Sequence, residues 1–339
     1  MVLDAFLSIL TALIHTKRLN EASNTAMSAM IEDKQQTLRH TVQCAGVGLH
    51  TGQRVVLRLR PAPANTGITF LRTDVPGPNA TCLIRANWRQ INATPLATVI
   101  GNSYGLSVTT VEHLLAALSG CGVDNVRIEL DGPEVPILDG SSAPLVALVQ
   151  QAGITSLPAP RRYIQVLKTV EVQDGDKWAS YAPDQVRRFS VGIDFASRVI
   201  GQQHYSMVLQ GDAFSREIAS ARTFGFREQI DALREQGLTL GGSLDNAILI
   251  DGDRIMNPQG LRYPDEFVRH KLLDSIGDLY LAGAPILGHY RAYKPGHGMN
   301  AALLRAMLSD TSAWRMVTSA ESVAQSASRA DSERLQETG

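Results

Sequence analysis

Asp265-Glu266-Phe267-Val268-Arg269-His270-Lys271-Leu272-Leu273-Asp274-Ser275-Ile276-Gly277-Asp278 reads as a helix, with an apolar stripe at Phe267, Leu273, Ile276, Leu279 and Tyr280 and charge on its other side. The helix is expected to lie half buried. Residues four apart on a helix share a face, with Cβ atoms about 6 Å apart, so His270 and Asp274 can reach one ion. Asp278 continues that face, and Lys271 points elsewhere. A surface ion pair or a satisfied hydrogen bond uses the same spacing, so two residues alone leave the metal reading open. A carboxylate beside apolar surface loses solvation and needs a proton, a cation or a metal to compensate. A third ligand must come from elsewhere in the chain.

Working outward, 339 residues with 44% hydrophobic and 19% charged are ordinary for a globular protein of one to three domains. A formal net charge of -1 offers no basic field of the kind nucleic acid requires, which argues against that partner. Cys44, Cys82 and Cys121 are odd in number and far apart, a pattern of a reducing compartment without a structural zinc ribbon. The apolar run at residues 6–14 is too short to span a bilayer, so no transmembrane segment is expected.

Two similar α+β domains are expected, each a layered β-sheet with packed helices. Residues 1–36 read as a flexible N-terminal extension, 37–157 as the first domain, 161–317 as the second and 318–339 as a disordered tail. The boundary is placed at Pro158-Ala159-Pro160-Arg161-Arg162. In the first domain, strands flank the glycine-rich turn at residues 46–52, a helix spans 110–119 and another 142–152. In the second, one strand is expected over 163–172, others over 177–182, 189–195 and 286–293, and a last helix over 301–307. Both halves run strands, then helix, then strand, as a duplication would.

Eight histidines compete for the third ligand position. His113 follows Glu112 in the apolar helix Thr110-Val111-Glu112-His113-Leu114, where unpaired charge is expensive, although an ordinary core histidine fits there equally well. His297 stands between two glycines, Gly296 and Gly298, and reads as a loop residue.

The segments Gly46-Val47-Gly48-Leu49-His50-Thr51-Gly52, Thr110-Val111-Glu112-His113-Leu114, Ile137-Leu138-Asp139-Gly140-Ser141, Ala221-Arg222-Thr223-Phe224-Gly225-Phe226, Leu240-Gly241-Gly242-Ser243 and His270-Lys271-Leu272-Leu273-Asp274 follow one another in this order. Together they resemble the zinc-dependent UDP-3-O-acyl-N-acetylglucosamine deacetylases of lipid A biosynthesis, over roughly residues 36–317. The resemblance implies that His113, His270 and Asp274 hold Zn2+, with Fe2+ a possible substitute, at an active site between the two domains. It implies that Glu112 is the general base, and that His297 is the acid for the leaving amine, its proton affinity raised by Asp278. Thr223 and Lys271 would stabilise the oxyanion. Leu49 and Phe224 would pack on the sugar, and His50 and Lys177 would approach the nucleotide of a UDP-acylated amino sugar. The insertion from Asp194 to Asp212, with Val199, Ile200, Tyr205, Met207 and Val208, is a candidate acyl channel, though a plain edge hairpin explains it as well. Such an enzyme is expected to work in the cytoplasm as a monomer.

Two other readings compete. Two histidines and a carboxylate also form the facial triad of non-haem iron oxygenases, but those ligands usually project from strands with one His and the carboxylate in an H-x-D motif. A catalytically dead metal module that binds nucleotide-sugars is the third, and binding alone would need neither Glu112 nor His297.

Overall fold

A computed structural model of the chain describes residues 34–92 and 96–318. Most of the extension expected at 1–36, and all but the first residue of the tail expected at 318–339, lie outside the described residues; Thr318 ends a strand and pairs with Arg162. Seven helices are described: α1 (Asn79–Cys82), α2 (Glu112–Gly120), α3 (Ala143–Ala152), α4 (Ala213–Glu217), α5 (Arg227–Glu235), α6 (Glu266–Tyr280) and α7 (His297–Ser309). The architecture is mixed α+β, as the pattern predicts.

In the first half, a five-stranded sheet runs in the order Val42–Val47, Arg54–Pro61, Val126–Leu130, Ile68–Arg72 and Leu83–Arg85. Its first two strands form the expected hairpin across the glycine-rich turn, pairing Val42 with Leu59 and Val47 with Arg54. In the second half a seven-stranded sheet is built around Ile286–Tyr293, which pairs with Arg162–Val166, Lys177–Ala182 and Arg187–Asp194. The single strand expected at 163–172 is two strands, Arg162–Val166 and Val170–Asp174, which pair with different partners.

The segment expected to be a linker is extended and paired. Ile154–Pro160 lies antiparallel to Lys34–Leu38, and Arg161 is buried with its Nε 2.9 Å from Asp124 Oδ1.

Helices α3, α6 and α7 pack on the sheets. Helix α3 rests on Val42–Val47, α6 on Arg187–Asp194, and α7 on Val170–Asp174 and Lys177–Ala182. Helices α2 and α6 make the most extensive contact between any two elements among the described residues. Gly277 permits it, because a Cβ there would overlap the carbonyl of Glu112. Leu114, Leu115 and Leu118 on α2 are fully buried, each stabilising by about 1.5–3 kcal/mol, which offsets the cost of enclosing Glu112 and His113 on the same helix.

Helix α6 is not half buried but almost wholly so: of its residues only Arg269 and Lys271 escape burial. Its acidic side chains tolerate this because each has a partner inside the protein. One contiguous cluster of buried apolar residues runs through both halves of the chain.

Candidate active site

His113 from α2 meets His270 and Asp274 from α6. Nε2 of His113 and Nε2 of His270 lie 3.6 and 3.3 Å from the same atom, Asp274 Oδ1. The two rings are edge-on, centroids 5.0 Å apart. One ligand atom from each residue lies within 4.8 Å of the others, and all three residues are buried.

Donor chemistry fits a cation. His270 Nδ1 is 3.0 Å from the Ala221 carbonyl, which can only accept, so the proton sits on Nδ1 and Nε2 presents a lone pair. Burial lowers the pKa of His270 to about 4, leaving the ring neutral. Burial alone would push the Asp274 carboxyl up, but His270 and Lys271 beside it bring it well below the ordinary range. Lys271 Nζ donates to Asp274 Oδ2 at 3.0 Å. Oδ1 is buried and accepts no hydrogen bond among the described residues, an expensive condition unless an ion occupies the space it faces.

Beside this group stand a buried carboxylate and a buried imidazole, Glu112 and His297. Glu112 is the first residue of α2, with Oε2 accepting from the Thr98 amide at 3.1 Å and Oε1 3.8 Å from His297 Nε2. Burial raises its pKa, partly opposed by His297 and His113. Burial would lower the His297 pKa, yet Asp278 and Glu112 lift it to about 9. Asp278 Oδ2 accepts from His297 Nδ1 at 2.9 Å and from Asn300 Nδ2 at 2.8 Å, and Oδ1 accepts from Thr98 Oγ1 at 2.6 Å. His297 is not on a loop. Gly296 is extended at φ -152°, and α7 begins at His297 itself with Gly298 inside its first turn.

These groups open on a cavity of about 280 Å³, lined also by Leu49, His50, Thr223, Phe224 and Lys271. Phe224 packs edge-on against Phe267 at 5.0 Å and beside His270 at 6.3 Å. Both ring nitrogens of His50 are buried without a hydrogen-bond partner among the described residues, so this ring lines the cavity with unspent hydrogen-bonding capacity. Thr223 is held by its own backbone, donating to the Gly140 carbonyl at 2.8 Å. Gly140, at φ +82°, has no room for a Cβ against the Asn246 carbonyl, which accounts for the Asp139-Gly140-Ser141 motif. Lys177 is exposed at the start of its strand and does not line the cavity.

The channel expected in the 194–212 insertion is an edge hairpin. Gln202–Val208 pairs with Arg187–Asp194, Ile200 and Met207 are buried in the core, and none of the five named residues lines the cavity. The apolar groove lies on another insertion. About 310 Å³ open between α5 and the following segment, lined by Phe226, Ile230, Leu233, Leu244 and Leu249 and sharing Leu49, His50 and Phe224 with the cavity.

Sequence reasoning missed three supports. Thr98 touches both Glu112 and Asp278. Arg222 and Glu266, 1% and 0% exposed, form a two-pronged pair at 2.8 and 3.1 Å. That pair fastens the segment carrying the Ala221 carbonyl and Thr223 to the start of the helix carrying His270. Arg222 stood in a recognised motif and, being charged within an apolar stretch, was the one readable signal.

A buried two-histidine, one-carboxylate group next to a carboxylate and a protonated imidazole defines the site of a metal-assisted hydrolase. Comparison with known proteins agrees. The family model described as LpxC, UDP-3-O-acyl N-acetylglycosamine deacetylase, matches residues 35–309. A UDP-3-O-acyl-N-acetylglucosamine deacetylase of Pasteurella multocida (strain Pm70) is 49% identical over 287 residues, 84% of this chain and 93% of the relative. The protein of the same name from Vibrio parahaemolyticus is 49% identical over 292 residues, 86% of this chain and 95% of the relative. The one from Haemophilus influenzae (strain PittEE) is 48% identical over 287 residues, 84% of this chain and 93% of the relative. The chain belongs to the UDP-3-O-acyl N-acetylglycosamine deacetylase family, whose members are amide hydrolases. Among the described residues no helix is long and apolar enough to cross a membrane.

Proposed function

We propose that this chain removes the N-acetyl group of UDP-3-O-acyl-N-acetylglucosamine as a zinc enzyme of the cytoplasm, acting as a monomer and releasing acetate in the committed step of lipid A biosynthesis. The observation that carries this is the convergence of Glu112 and His297, 3.8 Å apart, beside an orphaned carboxylate oxygen faced by two imidazoles.

His113, His270 and Asp274 would hold the metal, which Fe2+ could replace. When bound, the metal supplies Lewis-acid chemistry, polarising the amide carbonyl and making water ionise near pH 7. Glu112, held by the Thr98 amide and made more basic by burial, takes the proton of the attacking water. The Thr223 hydroxyl and Lys271 ammonium, both in the cavity wall, stabilise the charge that grows on the carbonyl oxygen. His297, cationic at neutral pH and oriented by Asp278, protonates the departing nitrogen, which could not leave as an anion. Leu49, Phe224 and His50 enclose the sugar end, and the groove beyond Phe226 suits the acyl chain. Lys177 as a contact to the nucleotide rests on the family resemblance alone.

The test is acetate release from the purified protein. Chelation should abolish it and stoichiometric zinc restore it. Glu112→Gln should lose about 10²–10⁴-fold in turnover while still binding one zinc. Undiminished activity of metal-free protein, or of Glu112→Gln, would overturn the assignment.

A further inference from the structure

Glu134 lies outside the cavity and is 1% exposed. Its carboxylate accepts four hydrogen bonds. Oε1 accepts from the His50 amide at 2.9 Å and from Thr110 Oγ1 at 2.9 Å. Oε2 accepts from the Thr51 amide at 2.9 Å and the Thr51 hydroxyl at 2.8 Å. Gly48 makes the approach possible, since a Cβ there would overlap the carboxylate.

The two sets of donors belong to different walls of the active site. His50 and Leu49 line the cavity from the glycine-rich turn, and Thr110 lines it from the residue but one before Glu112. Thr110 is at φ +59°, a left-handed conformation that a β-branched residue rarely adopts. Such a backbone persists only where its surroundings over-determine it, and the bond to Glu134 is the side-chain contact that does so. The backbone around Glu134 is zipped on both sides, with Thr109 N to the Pro133 carbonyl at 3.0 Å and Ile137 N to the Val47 carbonyl at 2.9 Å.

We propose that Glu134 is a positioning residue that clamps the substrate-covering turn 48–52 to the strained residue launching Glu112 and His113, setting the distance between the two walls of the cavity. This rests on the deacetylase reading for its kinetic consequence, but not for its structural one.

Glu134→Gln keeps the shape and replaces one acceptor oxygen by an amide group that faces the donors. In metal-free protein, hydrogen exchange of the peptide spanning 48–52 should quicken by about tenfold, because the His50 and Thr51 amides bond different oxygens and one of the two loses its acceptor. In the zinc-loaded enzyme kcat/KM should fall by about 10²-fold with zinc content unchanged. Single substitutions separate the two arms: Thr110→Val should lower kcat at constant KM, Thr110→Ser should restore it, and Thr51→Val should raise KM at constant kcat. If Glu134→Gln does not fold, the Thr110→Val and Thr110→Ser pair carries the test. Unchanged exchange at 48–52 with wild-type kcat and KM overturns the clamp. So does an activity loss that merely tracks the loss of folded protein by circular dichroism. Exchange altered as expected in a protein whose wild type releases no acetate refutes the deacetylase reading and upholds the clamp.

Discussion

A single imidazole shows how much of this chemistry is environment. His297 is buried, a condition that by itself favours the neutral ring, yet Asp278 and Glu112 raise its pKa to about 9. The raised value means that the charged ring is present below the ordinary histidine range and is lost only as pH rises through about 9. Turnover should therefore hold through neutrality and fall on an alkaline limb near pH 9. In Asp278→Asn that limb should move to lower pH, and a limb that stays in place would show that Asp278 does not set it. His270 has the opposite fate. Its Nδ1 meets the Ala221 carbonyl, and burial takes it down to about 4. Two histidines of one site are thus kept in different charge states at the same pH.

The elements carry the geometry. Helix α6 and the strands Lys177–Ala182 and Ile286–Tyr293 stand where their apolar patterns place them, because long periodic runs report burial directly. Gly277 is the feature that brings α6 close enough to α2 for His113 to share Asp274 with His270. Gly277→Ala should cost about 1–3 kcal/mol in urea unfolding and weaken zinc binding, measured by competition with a chromophoric chelator. Unaltered zinc affinity would show that the helix spacing does not tune the site.

Much of the support remained illegible for a physical reason. Thr98 acts on Asp278 across 180 positions and Arg222 on Glu266 across 44, and a lone polar residue announces no partner at such range. Glu134 is likewise a carboxylate whose four donors come from distant turns. The start of α7 was hidden by its glycines, which read as loop until the bond to Asp278 fixes His297 in the first turn. His113, His270, Asp274 and Glu112 stand in the ordered motifs, whereas His297 lies outside them and was singled out by its glycine neighbours and the family resemblance. The groove was not legible, since its lining is spread over a short helix, two short strands and the segments that join or face them.

At the scale of the whole molecule, the two halves of the chain share one apolar interior. Buried apolar side chains connect from the first sheet through α2 and α6 to the second sheet without a break. Urea unfolding should accordingly show one transition by both fluorescence and far-ultraviolet circular dichroism. Two separated transitions would mean that the halves are independent units. The boundary near residues 158–162 is best taken as a division of topology, with Arg161 tying it back to Asp124.

Helix α5 has no buried residue and packs mainly on the short strands Phe224–Phe226 and Ile248–Asp251. It walls the groove assigned to the acyl chain while contributing nothing to the interior. Substitutions along it fall within the range where surface changes cost less than about 0.5 kcal/mol. Under the proposed function, the wall that meets the acyl chain is a cassette open to drift or to grafting, whereas Glu112 and His297 are embedded in the part of the molecule that must fold intact.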